Sequence, residues 1–197
     1  MKALVVVAHP VRESLTHNAA RAAVEGLTTA GHDVVLLDLY GEGFSAAMSP
    51  AERAAYHTDE PLIAHDAIRA AELVRSSQIL VFVYPTWWSD VPAIMRAFFE
   101  RVFIPTVAFE LVPGATKVQP AMQHVRHIVG ISIYGSPWVY VWTIRDSGRR
   151  MITRALRLCT GRKTRTTWLA LYHIERADAP VRSAFLERVE ASMAALS

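Results

Sequence analysis

The chain has 197 residues, 52% hydrophobic and 20% charged, a balance that excludes a disordered segment and suits one folded domain, 1–197, with a substantial core. A formal charge of +3 and a single cysteine, Cys159, exclude an internal disulfide framework, give no reason to expect a nucleic-acid partner, and fit a reducing cytoplasm. No run reaches the roughly 18 consecutive apolar residues of a transmembrane segment, Lys2 leads straight into a β-like run rather than a signal peptide, and no HExxH, paired CxxC or DxDxDG pattern marks a metal site.

The first apolar run, 3–8, is followed by the polar turn His9-Pro10-Val11-Arg12-Glu13-Ser14 and then by a helical pattern over 15–30. In that helix Leu15, Ala19, Ala22, Ala23 and Leu27 form one stripe, and Gly31 marks the stop. A second β-branched run covers 34–39. The insert 40–61 carries Ser49-Pro50-Ala51-Glu52, a capping-box start with proline at the first helical position. A helix over 63–76 leads to a third strand over 79–84, and a helix over 91–102 follows. The insert 104–123, holding Phe109, Leu111, Val112, Pro113 and Gly114, is longer than a connection needs and reads as part of a site or a subunit contact. Strands over 127–133 and 167–172 flank an amphipathic helix over 143–158, and a last helix covers 181–196. Near-continuous hydrophobicity in the first, third and fourth strands requires cover on both faces, hence an α/β parallel sheet, doubly wound in three layers.

Three loops, each at the carboxyl end of a strand, carry the chemistry. Ser14 is placed to cap the first helix, Thr16 adds a hydroxyl, and His9 ends the strand. Hydroxyls, free amides, a helix N-terminus and a switchable imidazole make a cradle for a phosphate, without the glycines of the dinucleotide fingerprint or the P-loop. The segment Tyr84-Pro85-Thr86-Trp87-Trp88-Ser89-Asp90 places two adjacent indoles at a strand end, where at least one has to face a cleft. Backbone groups of Thr86, Trp87 and Trp88 suit the edge of a planar ring. In Ser132-Ile133-Tyr134-Gly135-Ser136 the glycine permits close approach or a positive φ, and Tyr134 and Ser136 bring hydroxyls. The arginine-rich stretch 145–165 alternates with Ile152, Ala155, Leu156 and Cys159, as in a helix packed on a sheet.

Together these blocks resemble the flavodoxin-like NAD(P)H:quinone oxidoreductases, a group that includes quinone reductases and the ancillary reductases of potassium efflux systems. The resemblance covers nearly the whole chain. It rests on Ala8-His9-Pro10 with Ser14, on Gly31-His32-Asp33-Val34 leading to Asp38-Leu39-Tyr40, and on Pro85-Thr86-Trp87-Trp88 through Val91-Pro92-Ala93-Ile94. It implies a flavodoxin-like sheet of order 2-1-3-4-5 and a flavin, FAD or FMN, with its phosphate end on His9, Ser14, Leu15 and Thr16. The ring would lie against Pro85, Thr86, Trp87 and Trp88, with Ser132, Ile133, Tyr134 and Gly135 along the other side. It further implies NADH or NADPH as reductant, a quinone-like acceptor and a homodimer. The chain departs from the group's pattern where Tyr134 replaces a glycine and Asp90 replaces another. The tyrosine and histidine that assist hydride transfer in mammalian-type members have no match in 138–146.

The resulting expectation is a ping-pong hydride relay through flavin N5, with the Gly135 N–H as first candidate donor to the reduced ring and the Tyr134 hydroxyl as second. A flavin-binding regulatory subunit serving a membrane or other redox partner is the alternative. A hydrolase on the same layers lacks a G-x-S-x-G elbow.

Overall fold

The computed structural model describes residues 1–58, 61–112, 114 and 118–197; Pro113, named above as part of the second insert, lies outside the described residues. Strands β1 (Lys2–Val7), β2 (Asp33–Asp38), β3 (Ile79–Thr86), β6 (His127–Tyr134) and β7 (Arg165–Leu171) form one sheet in the order β2-β1-β3-β6-β7. All four pairings are parallel. The expected architecture and strand order are therefore present. Between β3 and β6 the second insert also forms a short antiparallel ribbon, β4 (Phe109–Glu110) with β5 (Gln119–Pro120), where the sequence suggested only an ordered loop.

Side-chain alternation splits the core in two. Leu4, Val6 and Ala8 point to one face of the sheet with Leu80, Phe82 and Tyr84, while Ala3, Val5 and Val7 point to the other with Val81 and Val83. The first face is covered by α3 (His65–Ser76) and α4 (Ala93–Val102), the second by α1 (Leu15–Thr29) and α7 (Ala179–Ala194). Helices α1 and α7 approach so closely that a Cβ on Gly26 would lie 2.2 Å from the Glu190 carbonyl oxygen. Gly31, at φ 78°, ends α1 as expected.

The first insert is fastened rather than loose. Ser49 caps α2 (Pro50–Ala55) in a full capping box with Glu52. The buried Arg101 of α4 reaches Glu52 at 2.8 Å, both carboxylate oxygens of Asp66 at 2.6 and 2.8 Å, and the Ser45 carbonyl at 2.9 Å. The guanidinium also lies 4.8 Å from the centre of the Phe44 ring.

The helix expected over 143–158 needs correction. The chain is helical over α5 (Trp138–Thr143), turns at Arg145 and Asp146 with φ of 62° and 28°, and resumes as α6 (Ser147–Arg150). It continues as a π-helical turn, Met151–Ala155, and a 3₁₀ turn, Leu156–Cys159. The two left-handed residues break the period; Asp146 then caps the new start through the Arg149 N–H at 3.1 Å. Among the described residues no helix is long and apolar enough to cross a membrane.

Candidate functional site

The order of the sheet reverses between β1 and β3, and in open α/β sheets ligands bind beyond the carboxyl ends of the strands at such a reversal. The three loops singled out in the sequence meet at this edge. Ser14 caps α1, its Oγ accepting the His17 N–H at 3.3 Å, which leaves the hydroxyl proton free to donate. Among the described residues the N–H groups of Leu15 and Thr16 have no acceptor, as the first amides of a helix do. Thr16 itself is buried, so its backbone rather than its hydroxyl is on offer.

His9 sits above this helix end. Its Nδ1 lies 3.0 Å from the Val11 N–H, and its carbonyl accepts from His17 Nε2 at 3.0 Å. Partial burial first, then the neighbouring His17, hold the His9 imidazole below its ordinary value, against a raising hydrogen bond with Val11. Nδ1 is occupied by Val11, whose N–H and carbonyl oxygen lie 3.0 and 3.1 Å away, which leaves Nε2 as the ring nitrogen without a partner among the described residues. Its ring lies 5.8 Å from that of Trp87, which joins the first loop to the second.

The second loop is a two-residue turn. Trp87 N–H donates to the Asp90 carbonyl at 3.1 Å and Asp90 N–H returns to the Trp87 carbonyl at 3.0 Å. Trp88 and Ser89 between them have φ of 49° and 62°, the left-handed pair of a type I′ turn. Trp88 is fully exposed and Trp87 is 41% exposed, so both indoles face outward, where the sequence required at least one. Asp90 earns its place structurally: one carboxylate oxygen accepts the Val91 N–H at 2.8 Å and the other pairs with Arg96 of α4. Pro85 is buried and Thr86 half-buried, leaving Trp87 and Trp88 as the exposed part of the segment.

The third loop differs from expectation at its tyrosine. Ser132 and Ile133 are buried within β6, and the Ser132 hydroxyl bonds Thr86 Oγ1 at 2.8 Å. Tyr134 is buried too, and its hydroxyl donates to Asp146 Oδ2 at 2.6 Å rather than standing free. Its ring stacks on Tyr172 with centroids 4.7 Å apart. Burial, reinforced by the Asp146 carboxylate, raises the phenol far above its ordinary value, so it stays protonated. Gly135 does not have a positive φ, and a Cβ there would meet nothing within 4 Å: its surroundings are open space.

Thr86, Trp88, Ser89, Tyr134, Gly135, Ser136, Tyr140 and Asp146 enclose a cleft of about 240 Å³ with Val141 and Ile144. Tyr140, Ile144 and Asp146 were not singled out from the sequence. Asp146 reaches the cleft at the left-handed reversal of 145–146, which no periodicity announces. His57 and His65 are exposed. Cys159 is half-buried against the core, and burial raises its thiol, which makes it a poor nucleophile. Among the described residues no group of three or more His, Cys, Asp or Glu gathers to hold a metal.

The sequence profile of the family described by the flavodoxin-like fold matches residues 1–196. The chain belongs to that family. NAD(P)H dehydrogenase (quinone) 1 of Cavia porcellus is 29% identical over 155 residues, covering 71% of this chain and 55% of that protein. The Rattus norvegicus protein of the same name is 27% identical over 154 residues, 71% and 56%. The chain thus spans about half the length of the curated relatives it matches. Among solved structures, an NAD(P)H:quinone oxidoreductase from Methanothermobacter marburgensis superposes with a TM-score of 0.81 at 22% identity, over 98% of this chain and 96% of that one. An FMN-dependent NADH-azoreductase from Bacillus anthracis, solved in complex with FMN, gives 0.73 at 13%, over 98% and 97%. At these identities the two structures speak to the fold.

Proposed function

We propose that this protein is a flavin-dependent oxidoreductase that passes a hydride from NAD(P)H to a quinone-type acceptor. The observation that carries this reading is the convergence, at one sheet edge, of the free Leu15 and Thr16 amides and the His9 imidazole with the cleft beside Trp88 and Gly135. The donor set suits a flavin phosphate at a helix N-terminus, and the cleft suits a planar ring. A bound flavin, FAD or FMN, supplies the N5 position that takes up and releases hydride.

The chain's own residues bind and orient. His9 Nε2–H, the Ser14 hydroxyl and the amides of Leu15 and Thr16 hold the phosphate. Thr86 and Trp88 form one wall of the ring site and Tyr134 and Gly135 the other, with Pro85, Trp87, Ser132 and Ile133 beside them in the same segments. Of the two catalytic candidates, the Gly135 N–H is retained as the donor to the ring edge. Tyr134 shapes the site instead, because its proton is held by Asp146. The relatives' printed names support NAD(P)H as reductant and a quinone as acceptor. A homodimer would cover apolar surface such as Val139 and Leu158, both more than half exposed, and the lone cysteine suits the cytoplasm.

The test is titration of the flavin-free protein with FMN and with FAD, followed by NAD(P)H oxidation with a soluble quinone. Binding at micromolar or better and quinone-dependent oxidation are expected; affinity no tighter than about millimolar for both flavins overturns the reading.

A further inference from the structure

Beside the ring cleft lies a second, larger cavity of about 480 Å³, with a different chemistry. Arg145, Arg149, Arg150 and Arg154 line it together with Trp138, Trp142 and Tyr172. None of these arginines takes part in any of the ion pairs formed among the described residues. The single acid on its wall, Asp146, is already engaged by the Tyr134 hydroxyl and the Arg149 N–H. Arg149 also lies over the Trp168 ring at 5.9 Å. Arg150 and Arg154 stand one turn apart across the π-helical turn, so like charges share a face with no carboxylate between them. Self-repulsion of this kind is relieved by an anion supplied from outside, and the flanking indoles suit a heteroaromatic ring carrying that anion.

Resting on the flavin reading of the adjoining cleft, we propose that this cavity takes the 2′-phosphoadenosine end of NADPH and makes NADPH the preferred reductant over NADH. The two cavities adjoin, with Val141 and Asp146 in the walls of both. A nicotinamide meeting a ring held in the first cleft would leave the rest of its length within reach of the arginines. NADPH and NADH differ only in the 2′-phosphate, a dianion matched to paired guanidinium groups, whereas the diphosphate they share gives no discrimination.

The test is a binding measurement with the protein as purified, reading the fluorescence of the lining tryptophans. 2′,5′-ADP should quench with a Kd at least about tenfold below that of 5′-AMP. The difference should vanish in Arg150→Gln/Arg154→Gln, whose side chains are exposed and make no hydrogen bond among the described residues. Arg162→Gln, in a loop outside the cavity wall, should retain it. In steady state, the ratio of kcat/KM for NADPH to that for NADH should fall at least about tenfold in the double variant. Equal affinity for the two nucleotides, an unaffected double variant, or equal loss in Arg162→Gln would overturn the proposal. So would competition for the cavity by 1,4-naphthoquinone-2-sulfonate with no binding of 2′,5′-ADP, since the arginines would then serve the acceptor. Failure of the flavin titration leaves the nucleotide result standing, and the reverse holds, so the two readings fail separately.

Discussion

At the scale of single residues, Tyr134 shows how a hydroxyl read as a reactant becomes a structural one. Its phenol does not crowd the cleft, because Asp146 and the Tyr172 ring draw it inwards. Tyr134→Phe removes the donor from a buried carboxylate oxygen, which costs about 1–3 kcal/mol. A urea-unfolding midpoint shifted to lower denaturant is the expected result, with flavin affinity falling alongside turnover; an unchanged midpoint would show the hydroxyl to be dispensable to the fold. Sequence alone pointed to Tyr134 but not to its partner. Asp146 lies twelve residues on, past a reversal that local pattern does not encode.

Among the elements, the insert between β2 and α3 depends on one guanidinium. The Arg101 contact, with lesser help from the Ser45 N–H, holds the Asp66 carboxyl down to about 2 from an ordinary 3.8. Burial alone would raise Glu52, but hydrogen bonds from Ser49 and Arg101 outweigh it and leave this carboxyl below its usual range as well. A depressed carboxyl stabilises the fold above its unfolded value and loses that contribution as pH falls towards the folded one. For Asp66 this amounts to about 2 kcal/mol, present above pH 4 and lost on the way to pH 2. Denaturant unfolding across that window should show the loss in the wild type. In Arg101→Met the Asp66 step should disappear, and stability at pH 7 should be lower by about 3–5 kcal/mol, because two carboxylates lose their counterion. In the sheet, Gly130 of β6 leaves room for Trp168, whose ring carbons would lie 2.1 and 2.4 Å from an added Cβ. Gly130→Ala should therefore cost about 1–3 kcal/mol by displacing the indole, seen as a lower thermal midpoint and a changed near-ultraviolet circular dichroism signal. The capping box of Ser49 and the stop at Gly31 were legible beforehand, since capping is local chemistry. The Arg101 cluster was not, as its members are separated by up to 56 residues.

For the molecule as a whole, five parallel strands followed from uninterrupted apolar runs alternating with amphipathic ones, because a doubly covered sheet imposes that pattern on its central strands; their order followed from the family resemblance. The site edge was legible for a related reason: strand ends deliver their loops to one side whatever the loops contain. The β4–β5 ribbon and the broken helix before β7 escaped, being set by long-range packing and by left-handed residues that are not glycine. The Trp88–Ser89 pair is another such case, and it affects the energetics of the whole molecule. Asparagine and glycine adopt those angles readily, but a tryptophan and a serine there forgo about 1 kcal/mol or more. Replacing Trp88 and Ser89 by Asn-Gly should raise the melting temperature and weaken flavin retention in the same protein. The hairpin tip thus keeps its bare indole ready for a guest at the expense of thermal robustness, and a version selected for heat resistance alone would discard it first.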